Sequence, residues 1–342
     1  MNTSIYNLTK IVKFLPISLL SKITGQNAIF PFYHLVSDAD VVHIKHLYPV
    51  KNVSTFEKDL DFLLKNYKPI DLSTLENYLQ NNNPIQDKVF LLSFDDGLSQ
   101  FYDIIAPILL RKGIPAITFL NSAFIDNKDL FFRYKQSILI EKYVSNAISL
   151  GQKSKLTTWL KSKNQTSAII SNSIRSIRYN EKEFLDEIAE ILEVDFQEYL
   201  AKNQPYLNTS QIQSLIKQGF DFGAHSIDHP HYYQIPLDQQ LHQTIESIKE
   251  ITNAFQLDKR LFSFPFTDSG VSKAFFETIF QKDKPIADLT FGCAGMKKDI
   301  TAKHIQRIPL EIANYSARDI VTGEYLYYIA KMFFNKNTIT RK

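Results

Sequence analysis

The chain has 342 residues, 44% of them hydrophobic and 22% charged, and its 39 basic and 36 acidic side chains leave a net charge of +3. That balance argues against a nucleic-acid-binding surface, which needs a strong basic stripe. The single cysteine, Cys293, excludes an internal disulfide framework and a multi-cysteine zinc site, so any metal must be held by His, Asp and Glu.

Residues 1–26 read as an N-terminal helix, because Ile5, Leu8, Val12, Leu15 and Leu19 recur at three- and four-residue steps. Residues 4–22 would then pack on the protein or make a peripheral membrane contact. Lys10 and Lys13 precede the apolar Phe14–Leu20 in the manner of a signal peptide, but Pro16 interrupts the run and no small-residue cleavage site follows. No stretch reaches the ~18 apolar residues of a membrane-spanning helix. The expected location is cytoplasmic or peripheral to the membrane.

Ala28–Tyr33 predicts a buried strand that Pro31 makes irregular or brings near a sheet edge. Ser54 with Glu57, and Ser73 with Glu76, read as capping boxes opening two helices. Val89–Phe94 is the second strand, Phe101–Lys112 a helix stopped by Gly113, and Ala116–Leu120 the third strand. The pattern resumes with the helix Ser210–Gln218, the strand Phe220–Ala224, the helix Leu237–Phe255 and the strand Leu261–Phe264. Strands alternating with helices at this spacing predict βαβ units and a parallel sheet. Between the two blocks, residues 126–207 contain one Gly, one Pro, no His and helical runs such as Phe184, Leu185, Ile188, Ile191 and Leu192. They read as an inserted helical subdomain.

Two features carry chemistry. Asp95-Asp96-Gly97 directly follows the second strand, and His225, His229 and His231 crowd into seven residues after a later one. Adjacent carboxylates resist joint ionisation unless something neutralises them, and a divalent metal does so. In (β/α) barrels the C-terminal ends of strands converge on one face, and both clusters sit at such ends. One aspartate and two neutral imidazoles give three protein ligands and leave a position open for water, as in catalytic zinc sites. Such an ion lowers the pKa of its water towards about 7 and polarises a carbonyl oxygen, and the second aspartate can take the water's proton. Either motif alone is a common turn or surface pair; together and in order they are specific.

SFDDG (Ser93–Gly97) and HSIDHP (His225–Pro230) resemble the first two motifs of the polysaccharide deacetylases, the NodB-homology group or carbohydrate esterase family 4. The resemblance extends to YHLVSD (Tyr33–Asp38), FEKDLDFLLKNY (Phe56–Tyr67), NTSQIQSLIKQGFDFGAHS and SFPF (Ser263–Phe266). It implies an α/β fold, a distorted (β/α) barrel in two parts, 27–125 and 208–342, with the helical insertion 126–207 between them. It implies removal of N-acetyl groups from an N-acetylated amino-sugar oligo- or polysaccharide. Asp95 would be the base, Asp96, His225 and His229 the metal ligands, and a backbone N–H near Pro265–Phe266, with the metal, the oxyanion site. Such ligands suit Zn²⁺, and also Co²⁺, Ni²⁺ or Fe²⁺.

The chain departs from the family pattern in three places, one of them the 130-residue separation of Asp95 and His225, which the helical insertion widens. The late Leu-x-His motif is absent, and the general acid is read as His34, whose Tyr-His context resembles the poly-N-acetylglucosamine deacetylase branch; His304 is the alternative. Ser263-Phe264-Pro265 stands where many members carry Arg before x-Pro, which leaves the orientation of Asp95 unassigned. Arg307, grouped with the substrate and oxyanion residues, reads as a strand-end anchor, with orientation of Asp95 as the other reading. His231 reads as a loop residue, Asp228 as a turn or cap, His43 and His46 as a solvated loop, Cys293 as a buried small hydrophobe and Trp159 as subdomain core. A carbohydrate-binding protein with a degenerate site and an O-acetyl esterase are the competing functions.

Overall fold

The protein is seen in a computed structural model that describes residues 15–81, 85–145, 147–165, 167–312 and 315–342. Its strands are, in chain order, β1 (Ala28–Ile29), β2 (Pro31–Tyr33), β3 (Lys68–Pro69), β4 (Val89–Phe90) and β5 (Leu92–Phe94). Then come β6 (Ala116–Leu120), β7 (Asp221–Ala224), β8 (Leu261–Ser263) and β9 (Leu289–Gly292). The last are β10 (Lys298–Asp299), β11 (His304–Gln306), β12 (Ile308–Pro309) and β13 (Thr338–Ile339).

Eight of them form one parallel sheet in the order β11-β9-β8-β7-β6-β5-β2-β12. β11 and β12 are one run of chain separated only by Arg307, so the two ends of the sheet meet and the barrel nearly closes. Tyr33 pairs with Phe94, Leu120 with Ala224, and Ala224 with Phe262. This register brings the residues that follow β2, β5, β7 and β8 to a single rim, the functional end of such barrels.

Each of the two N-terminal apolar runs is split. β1 and β4 join β3 in a separate small sheet, while β2 and β5 enter the barrel. Pro31 therefore does not mark an edge: it opens β2, the strand position that tolerates a missing N–H, between β5 and β12. The two capping boxes are also displaced. Asn52 caps the helix Val53–Asn66 by accepting from Thr55 N–H, and Asp71 caps Leu72–Gln80 by accepting from Thr74 N–H. Both are strong caps that lie two residues ahead of the expected serines. The two glutamates instead form ion pairs, Glu57 with Arg111 and Glu76 with Lys259.

Between β6 and β7 the chain forms the helices Phe132–Val144, Leu150–Ser162, Ile170–Ser176, Phe184–Leu192 and Phe196–Asn203. Their core, with Leu139, Leu156, Ile174 and Ile188, is continuous with Leu35, Ile44 and Leu98 from the barrel loops. His43 and His46 help to dock this layer and are not solvated: buried His43 meets Tyr199 OH at 3.0 Å, and His46 meets Glu141 at 2.6 Å. The helix Ile17–Thr24 buries Ile17 and Leu20 in the core that also holds Ile320, Val321 and Tyr325 of the helix Ala317–Met332. Ile5, Leu8 and Val12 lie outside the described residues. Among the described residues, no helix is long and apolar enough to cross a membrane.

Candidate active site

The chain leaves β5 through Asp95 and turns sharply at Asp96 (φ 71°) and Gly97 (φ 63°). Asp95 N–H still donates to Tyr33 carbonyl at 3.0 Å, in line with the strand. The turn sends the two neighbouring carboxylates to different partners. Asp96, Ser226, His229 and Phe266 all have left-handed backbone, at φ 71°, 69°, 65° and 55°. Non-glycine residues held this way gather at sites where the surrounding structure fixes them.

Asp95 faces Arg307. The guanidinium donates from Nη1 to Oδ1 at 2.8 Å and from Nη2 to Oδ2 at 2.7 Å, and both residues are buried. Its other donors reach Ser93 Oγ at 2.9 Å, Ser263 Oγ at 2.6 Å and Gly292 carbonyl at 3.2 Å. All five N–H donors of the guanidinium are thus used. Phe32 lies beneath it, 4.3 Å from ring centre to Cζ. Arg307 is therefore more than a strand-end anchor: it orients Asp95, and Ser263 accepts one of its bonds. Burial pushes the Asp95 carboxyl up, but Arg307 outweighs it and holds the group below the ordinary carboxylate range.

Asp96 turns to the histidines. Its Oδ1 is buried without a hydrogen-bond partner among the described residues, 3.2 Å from His229 Nε2 and 3.5 Å from His225 Nε2. Two ligands of one tetrahedral ion with bonds of about 2.0–2.1 Å stand about 3.3–3.4 Å apart. These three atoms fit a divalent cation. His225 Nδ1 is tied to Ser263 carbonyl at 2.8 Å, which turns Nε2 towards Asp96. Burial pushes His225 down to about 4, giving the neutral imidazole that a metal ligand requires. Tyr134, from the helix Phe132–Val144, donates its hydroxyl to Asp96 Oδ2 at 2.8 Å.

His34 follows β2 and is tied to Glu311 through Nδ1 at 2.6 Å. Glu311 also accepts the backbone N–H of His34 at 2.9 Å and of Leu35 at 3.0 Å, so both its oxygens are fixed. Burial pushes His34 down, yet Glu311, followed by Asp96 and Asp95, raises it to about 9. The imidazole is held protonated beside the two carboxylates.

The rim is completed by the turn after β8. Pro265 is buried, and the Phe266 ring stands edge-on to His229 at 4.5 Å, with Phe131 on the same imidazole at 4.3 Å. The Phe266 backbone N–H has no partner among the described residues. His231 is a loop residue, as expected, and it stacks on Phe266 with ring centres 3.5 Å apart. The Cys293 thiol donates to Phe266 carbonyl at 3.0 Å, and burial pushes it up to about 11, away from nucleophilic chemistry. Trp159 packs edge-on against Phe184 and donates to Glu187.

Two readings from the sequence change here. His304 is not brought to the rim: it bonds Thr290 at 2.8 Å and Asp268 at 3.1 Å, under the buried guanidinium of Arg341. Alternation along β11 explains this, since His304 and Gln306 share the face opposite to Arg307. Asp268, Asp299 and His304 are spaced like metal ligands, but the Arg341 guanidinium already donates to both carboxylates. Asp228 is no simple turn former either. It takes Tyr179 OH at 2.7 Å and Lys182 Nζ at 2.6 Å, which fastens the histidine loop to the helical layer. Glu311 and Tyr134 are the site residues that sequence reasoning missed.

The family model for polysaccharide deacetylases matches residues 82–275, more than half of the chain, including Asp95, Asp96, His225 and His229. No curated protein sequence matches. Among solved structures, the Streptococcus pyogenes deacetylase PplD in complex with acetate is similar over 87% of this chain and 97% of its own, with 13% identity and a TM-score of 0.53. IcaB from Ammonifex degensii is similar over 88% of this chain and 98% of its own, with 13% identity and a TM-score of 0.54. The putative polysaccharide deacetylase BA0330 from Bacillus anthracis covers 87% of this chain with 69% of its own, at 11% identity and a TM-score of 0.50. Those structures share the fold, a mixed α/β, nearly closed parallel barrel, and the family match over the strand-end motifs makes this chain a member of the polysaccharide deacetylase family, a carbohydrate deacetylase.

Proposed function

We propose that the protein is a metal-dependent hydrolase that removes N-acetyl groups from an acetylated amino-sugar glycan. The observation that carries this reading is the division of labour between neighbours: Asp95 is saturated by Arg307, while Asp96 Oδ1 is left bare between two imidazoles. Asp96, His225 and His229 would hold the ion, Zn²⁺ by preference for such a ligand set, with Co²⁺, Ni²⁺ and Fe²⁺ as other candidates. A divalent ion so placed activates water near neutral pH and polarises an acetyl carbonyl.

The chain's own groups do the rest. Asp95, kept ionised by Arg307, takes a proton from the attacking water. The carbonyl oxygen, as it gains negative charge, accepts from the Phe266 N–H, which has no competing partner among the described residues. His34, held protonated by Glu311, gives its proton to the departing amine. The bond from the acetyl carbon to nitrogen breaks, acetic acid that ionises in solution and a free amino sugar result, and the proton on Asp95 returns through solvent to His34. In this reading residues 27–125 and 208–342 form the deacetylase barrel, and 126–207 an insertion that supports Asp96 through Tyr134.

The test is acetate release from a panel of N-acetylated oligosaccharides, with and without a chelator. Release that stops on chelation and returns with Zn²⁺ is expected. Undiminished release from a metal-free preparation would overturn the metal requirement, and release from O-acetylated sugars alone would overturn the substrate class.

A further inference from the structure

The charges of this chain are not mixed along its length. Residues 1–37 and 325–342 contain no Asp or Glu, and they carry seven of the 39 basic residues. The remainder, 38–324, is therefore net acidic. The two terminal segments meet in the structure: Gln26 Nε2 donates to Tyr328 OH at 3.2 Å, and Tyr325 OH donates to Gln26 carbonyl at 2.9 Å.

At the end of the helix Ala317–Met332, Phe333 and Phe334 are 82% and 70% exposed, with Met332 also exposed. Lys331 and Lys336 flank them. Two consecutive, nearly bare phenylalanines are unlike the scattered apolar residues of an ordinary surface. On the adjoining helix Ile17–Thr24, Leu19 and Ile23 are exposed around Lys22. Ile300 and Lys298 are exposed beside β13, with Ile300 N–H donating to Ile339 carbonyl. A cavity of about 550 Å³ lined by Gln26, Lys298 and the start of β11 places this surface at the barrel end where the strands begin, opposite to Asp95 and Asp96.

We infer that this surface docks on a bilayer bearing anionic lipids. Lys22, Lys331 and Lys336, which form no ion pair among the described residues, match phosphate headgroups, and the aromatic pair at a helix end suits the headgroup and acyl boundary. A sugar platform would instead set several hydrogen-bonding groups beside the rings, and here one amide, Asn335, lies between the phenylalanines and Lys336. Bound in this way, the molecule turns its rim away from the bilayer.

The experiment is co-sedimentation of the full chain with vesicles of 30% phosphatidylglycerol in phosphatidylcholine, and with phosphatidylcholine alone. The wild-type protein should sediment with the anionic vesicles and lose binding in high salt. Phe333→Ser with Phe334→Ser should weaken partitioning by roughly 100-fold, and Lys331→Gln with Lys336→Gln by roughly 10-fold or more. Circular dichroism and thermal melting establish that each variant is folded. Wild-type protein that stays in the supernatant with anionic vesicles, or a folded phenylalanine variant that binds as well as wild type, overturns the inference. A Phe333-dependent dimer in sedimentation velocity without vesicle binding overturns it too, and assigns the surface to a second copy.

Discussion

Arg307 grips Asp95 through two parallel hydrogen bonds of 2.8 and 2.7 Å, although the residues are 212 positions apart. Such a fork fixes a carboxylate in both position and direction. Removing one partner of a fully buried pair leaves the other charge uncompensated, at a cost of about 3–5 kcal/mol. Arg307→Met should therefore lower unfolding stability by that amount, and adding Asp95→Asn should restore part of it. Urea unfolding of the three variants checks this; a loss under about 1 kcal/mol for Arg307→Met would remove the pair from the account.

The two aspartates should separate cleanly in function. Asp95→Asn is expected to keep metal and lower turnover by about 10²–10⁴-fold, the range for loss of a general base. His225→Ala should lose the metal itself. Metal content by mass spectrometry alongside acetate release distinguishes them, and an Asp95→Asn enzyme of near-normal rate would exclude Asp95 as the base.

For His34, burial works against protonation and Glu311 reverses it, so the imidazole of the metal-free protein should titrate near 9. Its folded pKa stands above the unfolded value of about 6.5. The pair's contribution to stability is then complete below about pH 6.5 and disappears as pH rises through about 9. In Glu311→Gln the imidazole should titrate below the wild-type value, because only Asp96 and Asp95 then oppose burial. Histidine NMR across pH measures both values; a wild-type His34 that titrates near 6.5 contradicts the arrangement. Metal loading adds positive charge nearby and should lower both values.

Tyr134 acts on the ligand set from outside. Tyr134→Phe keeps the ring but removes the bond to Asp96 Oδ2, and loss of such a support typically weakens metal binding by about 10–100-fold. Chelator competition reads the affinity. Equal affinity in a folded variant would reduce Tyr134 to packing.

His304→Ala should leave metal binding and turnover per folded molecule intact while lowering the melting temperature, because it removes a partner of buried Asp268. A turnover loss at full folding would return His304 to the chemistry.

Much of this was legible in the sequence, and the remainder was hidden for physical reasons. Apolar runs such as Ala116–Leu120 and the helix Leu237–Phe255 announce themselves by composition and period, and Asp95, Asp96, His225 and His229 by their place after strands. The breaks at Phe30 and Leu91 do not, because the apolar pattern continues while the strand changes sheet. The roles of Arg307 and Glu311 depend on which strands become neighbours when the barrel closes, and no local pattern records that. Tyr134 is one aromatic among several in a helix, distinguished only by the carboxylate its hydroxyl meets.

The one-residue gap between β11 and β12 also ties the site to closure of the barrel. Arg307 occupies that gap, on the run that joins the last strand of the sheet to the first. A chain halted before it would carry Asp95 and Asp96 side by side with no guanidinium to oppose them, and their repulsion would work against an unfinished barrel. Hydrolytic competence thus requires residues from both ends of the sheet. Acetate release from this protein is a report that its two halves have met.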